Sequence, residues 1–211
     1  MKVKQSKLRS TLIISLLSFT SLFSWGQEKE LTASRTYEKI TVDGRDDEQQ
    51  WSHADVATHF LELNPTEGKP PRFPTEVRVL YDDNNIYILG YCYDEYPDSI
   101  LTQLGERDDN LNADLFTVSL DTYNQMIDAF TFSVSASGVQ SDARISDRSF
   151  NAVWESAVQI VEDGWIVEME IPYYAIRFPK GKEQTWRVNF EREIRRSRTV
   201  LQWALVPKEV E

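Results

Sequence analysis

Cysteine is almost missing. Cys92 is the only one in 211 residues, so no disulfide can form within the chain. It stands inside "IYILGYCYD", an apolar strand-like run, and reads as a small core hydrophobe. An exposed thiol there would still permit a bridge between chains. Histidine is as scarce: His53 and His59 are the only two, and neither lies in an HExxH word. There is no Gly-x-Ser-x-Gly elbow and no phosphate loop. Paired carboxylates for glycosidic hydrolysis are plentiful, but any acidic chain offers such pairs. No stretch shows a long helical period, and no repeat recurs at a fixed spacing. These absences point away from an enzyme.

Positive charge is also in deficit. Lys plus Arg number 23 against 34 Asp plus Glu, and four of the basic residues (Lys2, Lys4, Lys7, Arg9) crowd into the first ten positions. A body this acidic repels nucleic acid and suits a neutral or cationic ligand.

Long apolar runs are missing except at the start. "MKVKQSKLR" is a basic leader, "TLIISLLSFTSLF" is apolar over thirteen residues, and "SWGQ" supplies Ser24 and Gly26 at cleavage offsets. Residues 1–26 therefore read as an export signal, cleaved after Gly26. The run is short for a membrane anchor, which needs about 20 apolar residues. The expected location is the periplasm, or the outer membrane and cell surface. Residues 27–36 read as a flexible lead-in and 37–211 as one domain, long enough for a single core.

What fills that domain is strands. "YEKITVDG" reads as a first strand ending in a turn, and "RDDEQQWSHAD" as one or two helical turns anchored by Trp51. "LNPTEGKPPRFPTE", with Pro65, Pro70, Pro71 and Pro74, is a loop. "TEVRVLYD" and "NNIYILGYCYD" form a hairpin across Asp82–Asn85; "DLFTVSLDT" and "DAFTFSVSA" form another pair. "SGVQSDARI" turns at Gly138, and "ESAVQIVEDGWIVEMEIP" turns at Asp163–Gly164. Trp165, Val167, Met169 and Ile171 face one way, Glu168 and Glu170 the other. "TWRVNFEREI" alternates again, and "TVLQWALVP" closes the chain. Period-two alternation with frequent turns predicts an all-β fold, an antiparallel β-sandwich. The abrupt end at "VPKEVE" suggests that the chain is a fragment of something longer.

The words in these strands resemble a known family. "ITVDGRDDEQQW", "TEVRVLYDDNNIYILGYCYD", "ADLFTVSLDT", "EDGWIVEMEIPYYAIRF" and "WRVNFEREI" are similar, in order, to the motifs of family 9 carbohydrate-binding modules, from Tyr37 to Trp203. "ERDD", "LDTYNQMIDAFTFSVSASGVQSD", "FNAVWESAVQIVEDGW" and "VNFEREIRR" are similar to a Bacteroidetes-type subgroup in which this module precedes an outer-membrane β-barrel. The resemblance implies a jelly-roll type sandwich, saccharide binding without catalysis, and often calcium. It also implies that the partner is a polysaccharide or oligosaccharide, with the chain's own C-terminal barrel in a longer form. Sugar-binding members grip a terminal sugar between two Trp rings. Here the first clamp Trp falls at Leu111, the strand Glu at Thr117 and the next-strand Arg at Ser133.

Three sites follow as candidates. The first is a polar strand face of Thr117, Ser119, Thr131, Ser133, Arg187 and Asn189, able to meet sugar hydroxyls or simply water. The second is Trp154, after a loop bearing Asp142, Arg144, Asp147 and Arg148; it is either a stacking ring or core. The third is "ERDDNLNAD", where Asp108, Asp109 and Asp114, with Asn110 and Asn112, could offer oxygens to Ca²⁺. The competing reading pairs Arg107, which also counts with Trp154, Thr117, Ser133 and Asn189 as a candidate ligand contact, with Asp108 or Asp109 and spends Asp114 on backbone donors. Haem is a further alternative, but Met169 alternates with core residues. The expected function is a non-catalytic carbohydrate-binding domain linked to polysaccharide catabolism at the envelope. The rivals are a structural cap on a barrel and an accessory domain of a glycoside hydrolase such as a xylanase.

Overall fold

The computed structural model describes residues 29–206; the expected export signal at 1–26 lies outside them. The strands are β1 (Ser34–Arg35), β2 (Val56–Ala57), β3 (Leu61–Asn64), β4 (Thr75–Tyr81), β5 (Asn85–Tyr93), β6 (Leu115–Asp121), β7 (Phe130–Ser135), β8 (Gln140–Arg144), β9 (Glu155–Val161), β10 (Gly164–Pro172), β11 (Arg187–Ile194) and β12 (Thr199–Gln202). They build two six-stranded sheets. The first runs β1-β4-β5-β10-β9, with β2 also on β4; the second runs β3-β12-β11-β6-β7-β8. All pairings are antiparallel except β1 on β4. The all-β sandwich expected from the alternation is what forms.

The hairpins fold where the turn signals stand, because each strand has one apolar face to hide. Phe116, Val118 and Leu120 on β6, Phe132 and Val134 on β7, and Phe190 on β11 meet Val77, Val79, Ile88, Trp165, Val167 and Met169 from the opposite sheet. Each such side chain contributes about 1.5–3 kcal/mol when buried. Cys92 is fully buried in this core, and burial pushes its thiol up to about 12, so it is an inert hydrophobe and no bridging residue. Met169 is 1 % exposed in the same core.

The N-terminal segment departs from the sequence reading. "YEKITVDG" is not a strand, and the strand lies earlier, in what reads as a lead-in. Ser34 and Arg35 pair with Leu80 and Tyr81, and the Thr36 N–H donates to Tyr81 O at 2.8 Å. The chain then crosses the outer face of the first sheet. Ile40 and Trp51 pack there on Leu80, Tyr87, Leu89 and Ile166 as a second apolar cluster. Trp51 sits in a short 3-10 turn, Gln49–His53, as the helical expectation had it.

The detour also covers a carboxylate. Glu168, on the side of β10 that the alternation turns away from the core, is 1 % exposed. Its Oε2 accepts the N–H groups of Asp43 (2.9 Å) and Gly44 (2.8 Å), and its Oε1 accepts Trp51 Nε1–H (3.2 Å). The Asp-Gly and Trp of the opening motif thus clasp one buried acid. Gly44 has φ +83°, and a Cβ there would lie 2.8 Å from the Val158 carbonyl carbon. Both backbone conformation and space forbid a side chain. Gly44→Ala is expected to cost about 1–3 kcal/mol, read as a lowered midpoint in urea; an unchanged midpoint would show that the clasp is not tight.

Candidate functional site

The loop between β5 and β6 carries the "ERDDNLNAD" segment and folds back on itself. Thr102 and Ala113 bridge it at the base, and Asp114 N–H donates to Leu101 O at 2.9 Å. Asp114 is fully buried, and its Oδ1 accepts the N–H groups of Arg195 (3.1 Å) and Leu101 (3.4 Å). Burial pushes its carboxyl above the usual range, against the pull of those donors and of Arg192. Asp109 closes the turn, its Oδ2 accepting Glu106 N–H at 2.8 Å. Asp108, at φ +68°, donates its N–H to Gln140 O and accepts Asp142 N–H, laying the turn against β8.

Arg107 is the brace. It donates to Gln140 Oε1 at 2.8 Å, to Ala152 O at 2.9 Å and to Asp142, with which it forms an ion pair. The loop-bracing reading is right in kind, but the partner is Asp142, with Asp108 only at 3.9 Å. The calcium expectation does not fit this geometry. Asp108, Asp109 and Asp114 are each spent on backbone donors in different places. Among the described residues, no three His, Cys, Asp or Glu side chains gather to hold a metal.

Trp154 is a core residue. It is 5 % exposed, packs edge-on to Phe132 (centroids 5.3 Å, 79°) and lies under the Arg107 guanidinium at 5.9 Å. Buried beneath Arg107, it offers no platform to a sugar, and of the two readings the core one holds. Asp142 and Arg144, read as loop residues, belong to β8.

The polar strand face is real. Register places Ser141, Ser133, Thr117, Glu191 and Gln202 in one row across five strands, and Thr131, Ser119 and Asn189 in the next. Arg187 stands opposite Asp121 at the end of the sheet. Much of its hydrogen bonding is internal. Thr117 and Ser133 hydroxyls pair at 2.9 Å, Gln202 donates to Glu191 at 2.8 Å, and Asn189 both donates to Ala204 O and accepts its N–H at 2.9 Å.

Where the braced loop overhangs this face, a cleft of about 240 Å³ opens. Its loop wall is Asp109, Asn110, Leu111 and Ala113; its floor is Leu115, Ser135 and Glu193; its far wall is Val139, Gln140 and Ser141. Leu111 is therefore where the resemblance put a clamp ring. Thr117 and Ser133 lie one row deeper on the same face. Glu193, Gln140, Ser135 and Ser141 were missed in the sequence, although Glu193 and Ser135 each follow a named face residue at an even strand offset. Glu193 is tied to Arg195 at 2.7 Å, and Arg195 Nε–H donates to Asn112 at 3.3 Å, so the cleft's charged edge is already fixed. The site offers hydroxyls, amides and a carboxylate beside an apolar wall. It has no nucleophile–base pair.

Solved structures of similar shape include carbohydrate-binding proteins. A family 9 carbohydrate-binding module from Caldicellulosiruptor kristjanssonii, in complex with cellotriose, superposes with a TM-score of 0.55 over 82% of this chain and 84% of its own, at 15% identity. The module from the same organism in complex with glucose gives 0.57 over 81% and 85%, also at 15% identity. A candidate carbohydrate-binding protein from Bacteroides uniformis gives 0.65 over 85% and 91%, at 11% identity. At such identities the likeness is one of fold. Among curated proteins none matches the sequence. Residues 42–197 match the model of the family described as carbohydrate family 9 binding domain-like. The match spans most of the chain, so this protein belongs to that family of non-catalytic binding modules.

Proposed function

We propose that the protein is a saccharide-binding domain whose site is the cleft under Leu111. The observation that carries this reading is the cleft's position. It opens on the outer sheet face at the residue aligned with the family's clamp, and it is lined by Ser135, Ser141, Gln140, Asn110 and Glu193. Hydroxyl, amide and carboxylate groups together can donate to and accept from sugar hydroxyls. Leu111 supplies apolar contact without a ring, so the grip is weaker than an aromatic sandwich gives. The ligand is accordingly a saccharide held at the rim of a shallow, wet site, bound weakly. Export to the envelope and service to polysaccharide catabolism belong to the same proposal. They are supported by the basic and apolar leader at 1–26 and by the resemblance to the barrel-linked subgroup.

The test is titration calorimetry with gluco- and xylo-oligosaccharides, preceded by a glycan array. Asn110→Ala and Glu193→Ala are each expected to weaken binding about threefold to tenfold, the loss of one hydrogen bond to the ligand from the amide or the carboxylate of the cleft wall. Both variants should keep their thermal midpoint within a few degrees. No binding to any glycan, or binding indifferent to both changes, would sink the assignment. Trp154→Ala is not a probe of this site, because that ring holds up the core.

A further inference from the structure

At the base of the cleft loop, between the two sheets, lies a group of buried charges whose hydrogen bonding is incomplete. Arg192 of β11 and Asp114 are fully buried, and Asp94 is 1 % exposed. Among the described residues, Arg192 Nε and Nη2, Asp114 Oδ2, Asp94 Oδ2 and Arg196 Nη1 are buried with no hydrogen-bond partner. Buried polar atoms in native proteins are nearly always paired, with protein or with ordered water. Such a concentration of orphans in one place calls for a partner.

The side chains do not close on one another, because each is tied at its other atom. Arg192 Nη1 donates to Pro74 O at 3.0 Å and to Thr75 Oγ1 at 3.3 Å. Asp94 Oδ1 accepts Tyr96 N–H at 2.8 Å and Arg196 Nη2–H at 2.9 Å. Asp114 Oδ1 accepts the N–H groups of Arg195 and Leu101. Arg192 Nη2 is left 3.8 Å from Asp94 Oδ2, within reach of the charge but too far for a hydrogen bond. The charges of Arg192 and Arg196 both act on Asp114 as well. Residues from β11, from the segment after β5 and from the segment before β6 thus meet with donors and acceptors unspent.

The charge of the cluster indicates what fills the gap. Arg192 and Arg196 balance Asp94 and Asp114. Cys92 beside them is neutral, its thiol pushed up to about 12 by burial. Arg195, next in the chain, is paired with Glu193. A balanced cluster leaves no charge to hold a metal ion or an anion. It requires a small neutral group that donates and accepts at once, which is what a buried water does through about three hydrogen bonds.

We propose that an ordered water sits among Arg192, Asp94 and Asp114, accepting from the guanidinium and donating to the carboxylates, and that it fastens the base of the cleft loop to β11. The proposal stands independently of sugar binding. Crystals that diffract well enough to show solvent, grown once in sodium chloride and once in sodium bromide, test it. One peak is expected within hydrogen-bond distance of Arg192 and of at least one of the two carboxylates, with no anomalous signal in bromide. In solution, Arg192 Nε–H should show a long-lived nuclear Overhauser contact to water. Arg192→Met, whose apolar chain takes up the space, should expel the water. In that variant the Leu101 and Arg195 N–H groups, which rest on Asp114, should exchange with deuterium about fivefold faster. Direct pairing of Arg192 with either carboxylate and no water between them overturns the proposal. So does an anomalous peak from bromide or a metal at the site. Unchanged exchange at Leu101 and Arg195 would show that the loop does not rest on this water, and would overturn it equally.

Discussion

Asp94→Ala is expected to destabilise the fold by about 3–5 kcal/mol, while Arg192→Met, at the other side of the same contact, is expected to cost less than about 1 kcal/mol or to stabilise. Arg192 points inward from β11 and is fully buried. Its Nη1 donates to Pro74 O at 3.0 Å and to Thr75 Oγ1 at 3.3 Å, and its Nη2 lies 3.8 Å from Asp94 Oδ2. Asp94 is 1 % exposed and is held mainly by Arg196, at 2.9 and 2.8 Å to its two oxygens. The Nε and Nη2 groups of Arg192 make no hydrogen bond. Removing the acid therefore leaves a buried guanidinium without the carboxylate it is paired with, only the charge of Asp114 still acting on it. Removing the guanidinium leaves Asp94 still paired to Arg196 and fills the space with a flexible apolar chain. Chemical denaturation of both variants decides it. Equal losses in the two would show that the pair, and not the acid, is what stabilises.

The second large effect is at Glu168 and depends on pH. Burial pushes its carboxyl up to about 7 from an ordinary 4.5, against the opposing pull of the Asp43, Gly44 and Trp51 donors. A folded value above the unfolded one fixes the sign. The stability this group contributes is fully present below about pH 4.5, declines between there and about 7, and is gone above. The span corresponds to about 3 kcal/mol at most. Glu168→Ala strands three N–H donors, two of them buried, at about 1–3 kcal/mol for each buried one, so about 4 kcal/mol is expected at pH 5. The loss should be smaller at pH 8, where the native carboxylate is itself costly. Urea midpoints at the two pH values measure this. A loss that is equal at both, or larger at pH 8, would contradict the burial argument.

Glu168 also marks where sequence reading stops. Alternation placed it correctly on the face away from Trp165 and Met169, and a strand glutamate on that face reads as solvated. It is buried because residues 40–51 cross that face, a contact made by chain more than a hundred residues away. The same event turned "YEKITVDG" from an expected strand into a covering strap. Trp154 shows the converse. Its polar neighbours suggested a sugar platform, but Phe132 and Arg107 enclose it. Asp108, Asp109 and Asp114 look like a cation site when written in a line, and the fold sends each to a different backbone partner.

The residues by themselves determined the strands, their hairpins, the inward face of each and the family, because all four depend on local alternation, turn chemistry and short words in order. The single inert cysteine and the lack of catalytic words were legible for the same reason. Only the tertiary structure decided which outward face is covered, which carboxylates are buried, and that the loop around Arg107 overhangs a polar sheet to make a cleft. Those are contacts between distant parts of the chain, and alternation within a strand carries no information about what will lie on top of it.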